Sequence, residues 1–265
     1  MTVLALVLFG LYAGSFVNAA AWRFHERPGD LSILHGRSAC ASCGHALAAY
    51  DLLPVVSWVV LRGRCRHCGS RIPDSPLVEL AVPAVFVVSY LAWPGRLDVA
   101  GLVPFLAWLV FAAGLVGLVT SGLSWSELPR EILVALAAVA AAKLALTVLL
   151  LHGGGAALLS ALSGAAIAGG AGLLAWLVSR GRLAGAGGAA LGVAAGALVG
   201  GPPPAALLVA ATIALAALWA PLLRRMAGTR ASTPPVAVLA MAPAAAIVEL
   251  LGARLAGWLA WPWTG

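Results

Sequence analysis

Apolar residues along this chain gather into eight windows, at about 2–22, 77–93, 99–121, 131–151, 156–178, 185–201, 204–223 and 234–256. A helix rises 1.5 Å per residue, so about 20 apolar residues cross the roughly 30 Å hydrocarbon core of a bilayer. The pattern therefore predicts an all-α fold, a polytopic membrane helix bundle of about eight transmembrane helices. The windows 77–93 and 185–201 lie near the short limit, which leaves seven or nine spans open. Gly10 and Gly14 are spaced by four in the first window, and Gly188, Gly192, Gly196 and Gly200 form a small-residue stripe down the sixth. In lipid such stripes let helix backbones approach closely. A tightly packed intramolecular helix pair is the expectation, and a homo-oligomer face is the alternative.

Composition agrees with the pattern. Of the 265 residues, 62% are hydrophobic and 9% charged, against about 25% charged in soluble domains. The net charge of +7 does not point to nucleic acid, because of where the basic residues sit. With the N-terminus outside, the inner segments 23–76, 122–130, 179–184 and 224–233 hold thirteen basic residues, and the outer loops hold Arg96 alone. This is the positive-inside bias of a multi-pass protein. Asn18-Ala19-Ala20-Ala21 imitates a cleavage site, but no Lys or Arg precedes Arg23, so an uncleaved first span is expected.

The long polar segment carries the clearest chemistry. Cys40-Ala41-Ser42-Cys43-Gly44 and Cys65-Arg66-His67-Cys68-Gly69 are paired Cys-x-x-Cys knuckles. Such pairs place four thiolates tetrahedrally around Zn²⁺, and the glycine after each permits the tight turn. Two disulfides are the rival reading, disfavoured in the reducing cytosol where the charge bias puts this loop. Cys40, Cys43, Cys65 and Cys68 are thus expected to close a structural zinc site between the first and second spans. His45 and His67 stand beside the knuckles without a coordination position left to fill.

The residues around this loop carry a resemblance. Gly14-Ser15-Phe16-Val17-Asn18 and Arg23 are followed by Tyr50-Asp51-Leu52-Leu53-Pro54-Val55-Val56-Ser57-Trp58, then Arg62-Gly63-Arg64, then Pro76-Leu77-Val78-Glu79-Leu80. With the two knuckles, this ordered set over residues 10–80 resembles the prepilin peptidases, or type IV leader peptidases. Pro73-Asp74-Ser75-Pro76 departs from the family's usual Arg-Tyr-Pro, and Pro234-Pro235-Val236-Ala237-Val238-Leu239-Ala240 is similar to the segment that opens the family's last span. The resemblance implies a bacterial inner-membrane location and two regions. Residues 1–93 would be the first span, zinc loop and second span; residues 94–265 would be a six-span aspartic-peptidase-like region. It also implies leader cleavage of type IV pilin or type II pseudopilin precursors, and N-methylation using S-adenosylmethionine.

An aspartic dyad needs two carboxylates sharing one proton around a water. In the family the first lies in the loop after the third span, a few residues before a Pro, and the second in Gly-x-Gly-Asp-x-Lys at the start of the sixth. Counting back from Pro129 puts the first on Ser121 or Gly122, and the glycine stripe puts the second on Gly188 with the Lys on Ala190. No Asp or Glu occurs between Glu131 and Glu249, so no catalytic residue is assigned. Glu127 approaches the first position, but Glu127 and Glu131 read as acids at a helix start, near the positive end of the dipole.

Lys143 and Glu249 are charges within spans, where ionisable groups tend to pair. Counted from the inner ends of their spans, their depths allow an ion pair between the fourth and eighth spans. Alternatively Lys143 snorkels and Glu249 pairs with Arg254. Three functions stay open: a family member defective in proteolysis, an active one whose acids come from elsewhere, and a non-catalytic membrane scaffold or pilin-assembly accessory protein.

Overall fold

The computed structural model describes residues 1–34, 37–72, 75–93, 97–125, 128–150, 154–180, 186–227 and 236–258. Its helices are α1 (Thr2–Glu26), α2 (Val56–Leu61), α3 (Pro76–Ala92), α4 (Val99–Trp125), α5 (Arg130–Leu150), α6 (Gly154–Ser179), α7 (Ala186–Val199), α8 (Pro202–Ala227) and α9 (Val236–Trp258). Strand pairing among the described residues is limited to two isolated antiparallel bridges, Ala39 with Ala46 and Arg64 with Arg71. Each apolar window of the sequence has become one helix, and α2 is a short addition inside the polar loop. Pro73, Asp74, Arg96, Glu127, Gly185, Pro234 and Pro235 lie outside the described residues, as does the side chain of Arg254.

Among the described residues, five helical stretches are long and apolar enough to cross a membrane: Thr2–Glu26, Gly101–Trp125, Arg130–Leu149, Gly154–Ser179 and Pro202–Ala220. The apolar stretches Pro76–Ala92, Ala186–Val199 and Val238–Leu251 are shorter. The 14 residues of α7 rise only about 21 Å. Its end is set by Gly200 and Gly201, both at positive φ (72° and 65°), where the Gly201 N–H leaves the helix to donate to Ser160 O at 2.8 Å.

The chain divides into two compact units, Met1–Val88 and Ser89–Gly265. In the first, α1 lies against α3 with almost no space between backbones. A Cβ on Gly10 would stand 2.5 Å from Pro83 Cα, and one on Gly14 would stand 2.9 Å from Glu79 Cα. Buried Asn18 of α1 donates from Nδ2 to Ser75 O, just ahead of α3, at 3.1 Å. This fixes the level at which the two helices meet.

On α6, in the second unit, the usual arrangement of small and large residues is reversed. α6 buries Ala161, Gly164, Ala168 and Gly169 and exposes Leu158, Leu159, Leu162, Leu173, Leu174 and Leu177. Water would select the opposite, since leucine is among the residues that fold inside. In lipid the solvent is as apolar as leucine, and close backbone contact drives association. The glycine stripe of α7 serves that contact within the chain. Gly192 faces the Ala168 carbonyl, where a Cβ would stand 2.6 Å from the oxygen, and Gly196 faces Gly164 with less room still. The larger side chains in this core include Trp108, Phe111, Leu118, Leu136 and Leu191.

Lys143 and Glu249, the charges within two of the apolar helices, meet. Lys143 Nζ of α5 donates to Leu198 O in the last turn of α7, one of the terminal carbonyls a helix leaves without an internal partner. It also stands 4.0 Å from Glu249 Oε1 of α9, and the two side chains are 19% and 12% exposed. The geometry favours pairing over snorkelling.

Three outcomes follow for stability in detergent. Gly196→Ala should cost about 1–3 kcal/mol by overpacking α6 against α7. Gly170→Ala, which meets nothing within 4 Å, should not destabilise the chain and should stabilise it by up to about 1 kcal/mol, since alanine is the better helix former. A double-mutant cycle on Lys143→Ala and Glu249→Ala should return a coupling of about 0.5–2 kcal/mol, whereas additive effects would mean the two charges do not interact.

Candidate metal centre

The two Cys-x-x-Cys segments fold as near-copies of one another. In the first, the Gly44 N–H donates to Cys40 O at 2.9 Å and the Cys40 N–H to His45 O at 2.9 Å. In the second, the Gly69 N–H donates to Cys65 O at 3.0 Å and the Cys65 N–H to Ser70 O at 2.8 Å. Gly44 and Gly69 both sit at φ 70°, a conformation side chains resist, so each knuckle needs its glycine. The two turns bring the His45 and His67 rings to 3.4 Å between centroids.

Between the knuckles, the Sγ atoms of Cys40, Cys43, Cys65 and Cys68 all lie within 4.8 Å of one another. Four sulfurs bound tetrahedrally at about 2.3 Å from one zinc stand about 3.8 Å apart. Cys40 Sγ and Cys68 Sγ are 3.8 Å apart. The donor set and its spacing fit a structural zinc ion. The thiols are unequal before any metal arrives. The backbone N–H groups of Cys43 and Ser42 and the Ser70 hydroxyl favour the Cys40 thiolate and bring its pKa down to about 5. The Ser70 hydroxyl and N–H also lower Cys68. At Cys43 the His45 N–H favours the thiolate, but burial and the other three cysteines outweigh it and push the pKa up to about 11.

The polar residues around the sulfurs form a scaffold. Arg66, inside the second knuckle, donates from Nε and Nη2 to Asp51 Oδ1 at 3.1 and 2.8 Å and lies 5.1 Å from the centroid of the Tyr50 ring. The Asp51 carboxylate raises the Arg66 pKa. Trp58 of α2 packs on Gly63, where a Cβ would stand 2.9 Å from its ring. Tyr50, Asp51, Trp58 and Gly63, known from the sequence only as parts of a pattern, thus brace the second knuckle.

Sequence reasoning missed the role of Glu79. Its Oε2 accepts the Val55 N–H at 2.5 Å. Val55 has φ 61° and ψ −48°, and the Val56 N–H donates to Pro54 O at 2.6 Å. This is a positive-φ γ-turn, rare and strained for a β-branched residue. Such strain costs about 1–3 kcal/mol, and a hydrogen bond to a charged acceptor offsets it at the same order. Glu79 is the single acid between Asp74 and Asp98, standing at the start of an apolar run. That isolation was the available signal.

The positions where the resemblance would put the dyad hold no acid. Ser121 and Gly122 are buried near the end of α4, and Gly188 is buried in the first turn of α7 with Ala190 exposed beyond it. The Ser121 hydroxyl has no hydrogen-bond partner among the described residues.

Residues 8–93 match the family model described as "Bacterial Peptidase A24 N-terminal domain". The chain is 36% identical over 129 residues to the "Type 4 prepilin-like proteins leader peptide-processing enzyme" of Escherichia coli O78:H11, covering 43% of this chain and 48% of that protein. It is 46% identical over 82 residues to the "Prepilin leader peptidase/N-methyltransferase" of Myxococcus xanthus, covering 31% and 24%. A protein of the same name from Bacillus subtilis is 33% identical over 109 residues, covering 41% and 43%. In each case the match spans less than half of the relative's length. No solved structure matches the chain.

Because zinc binding must displace the Cys43 proton, affinity should fall as pH falls, by at least about tenfold per unit from that thiol alone between about pH 8 and 6. Competition with a zinc chelator at the two pH values measures it, and a pH-independent affinity would contradict the four-thiolate site. Cys43→Ser should lower zinc content from one per chain toward zero.

Proposed function

Residues 8–93 belong to the bacterial A24 peptidase N-terminal domain family, and we propose that the whole chain is a prepilin peptidase family membrane protein that engages pilin or pseudopilin precursors without cleaving them by the family mechanism. The names of the relatives carry leader-peptide processing and N-methylation. The observation that carries the reading is a contrast between the two parts of the chain. The motif set of the first part folds around four clustered sulfurs. From Glu131 to Glu249 the second part contains no carboxylate between those two residues. A dyad by the family mechanism needs one ionised and one protonated acid, one of them at the start of the sixth span, and no carboxylate is encoded there to share the proton.

In this proposal Cys40, Cys43, Cys65 and Cys68 hold a zinc ion with no open position, and the ion contributes folding energy to the loop. The division into a 1–93 region and a 94–265 region, and eight spans crossing a bacterial inner membrane, belong to the same reading. So do an N-terminus outside and a cytosolic zinc loop, supported by thirteen basic residues on the inner segments against Arg96 on the outer loops. S-adenosylmethionine as a methyl donor rests on the resemblance alone. The second reading is a non-catalytic scaffold or pilin-assembly accessory protein, favoured by the small, uncharged residues at Ser121, Gly122 and Gly188.

Purified full-length protein in detergent, incubated with a pilin precursor, should retain the precursor in a pull-down and leave its leader attached. Clean processing would refute the proposal. Transfer of labelled methyl from S-adenosylmethionine to a precleaved pilin would select a transferase over a scaffold.

A further inference from the structure

One apolar surface of the first unit lies outside its long helices. Val56, Val59 and Val60 follow i, i+3, i+4 spacing on α2, which puts them on one face, and they are 57%, 61% and 68% exposed. Leu52 and Leu53, immediately before, are exposed as well. The one large aromatic ring of α2 does the opposite, since Trp58 packs on Gly63, just ahead of the second knuckle. The loop therefore packs its half-exposed tryptophan against its own backbone and displays its valines and leucines.

Two tethers set the height of this surface. The Val55 N–H is bound by Glu79, in the first turn of α3. The residue before α3, Ser75, is bound by Asn18, within α1. The turn at Pro54–Val55 is therefore held at the level where α3 begins. Leu77 and Leu80 of α3 are exposed beside it. The charge at this level suits phosphate headgroups. From Leu52 to Ile72 the chain has four arginines and no acid. Arg66 is committed to Asp51, and a four-thiolate zinc site would carry net −2 that the nearby arginines offset. Arg62, exposed at the end of α2, donates its N–H to Val59 O at 3.2 Å and so sits at the rim of the apolar face.

We propose that Leu52, Leu53, Val56, Val59 and Val60 form a keel seated in the headgroup–acyl boundary of the bilayer, with Arg62 at its phosphate-facing rim. The loop between α1 and α3 then lies on the lipid surface, in the manner of an interfacial amphipathic segment. The inference rests on α1 crossing that bilayer, and its test separates the two claims.

The full chain is reconstituted into phosphatidylcholine–phosphatidylglycerol vesicles with an environment-sensitive fluorescent amino acid replacing one residue by codon reassignment, leaving the four cysteines untouched. Doxyl-labelled lipids should quench the probe at position 59 at least about threefold more than at Ala41, exposed in the first knuckle. A probe at Phe9, exposed on α1, is the reference for a span. Quenching at position 9 but not at 59 overturns the keel, whether water or protein covers the face. No quenching at position 9 means that α1 does not cross the bilayer, and the keel falls with it. With the probe at Leu53, the variant V56S/V59S/V60S should lose its quenching and keep its unfolding temperature in detergent. A large fall in that temperature would make the face part of the loop's own core and overturn the proposal.

Discussion

Four sulfur atoms within 4.8 Å of one another impose a condition that the rest of the first unit has to meet. As thiolates they repel, and as thiols they leave the backbone donors that favour the Cys40 and Cys68 anions working against protonation. A divalent cation with a tetrahedral preference satisfies all four. The knuckle glycines, the bridges from Ala39 to Ala46 and Arg64 to Arg71, the Arg66–Asp51 pair and Trp58 on Gly63 are what hold the sulfurs that close. The loop has little apolar interior of its own. Its large apolar side chains at Leu52, Leu53, Val56, Val59 and Val60 face outward, so the sulfur cluster and these braces substitute for a core, as in other small metal-stapled modules.

What the sequence revealed depended on how local the cause was. Helix positions follow from runs of apolar residues, and each window became a helix. The knuckles follow from two-residue spacing within each pair. The α2 turn did not stand out, because six residues give too few repeats of a period. The Glu79–Val55 bond escaped because it joins residues 24 apart through a backbone N–H, which no side-chain pattern advertises. Lys143 and Glu249 were visible as charges in apolar runs, and depth alone suggested their pairing. The second partner of Lys143, Leu198 O, was not legible in the same way. A free carbonyl there exists because α7 stops at Gly200–Gly201 and because Pro202, four residues on, has no N–H, so the sequence signal belonged to those residues and not to the lysine.

The second unit shows which of its constraints are independent of chemistry. Gly164, Gly192 and Gly196 are required by backbone contact between α6 and α7, whatever the unit does. Carboxylates at a dyad are required by catalysis alone. The chain keeps the first set, and no Asp or Glu lies between Glu131 and Glu249. Packing of such a bundle in lipid rests on small residues and not on acids, so it does not depend on what the unit catalyses.

In the proposed reading, the same physics makes both dyad positions neutral and not just one. Two carboxylates side by side share a proton, so neither bears the full cost of an isolated charge in a poorly hydrated site. A lone carboxylate at buried Ser121 or Gly188 would face that cost without a partner, and as the neutral acid it would have no base to activate water. The dyad is thus stable in function only as a pair. Once one member is replaced, small uncharged side chains at both places impose the least desolvation cost on the bundle, and Ser121, Gly122 and Gly188 are what the chain carries there.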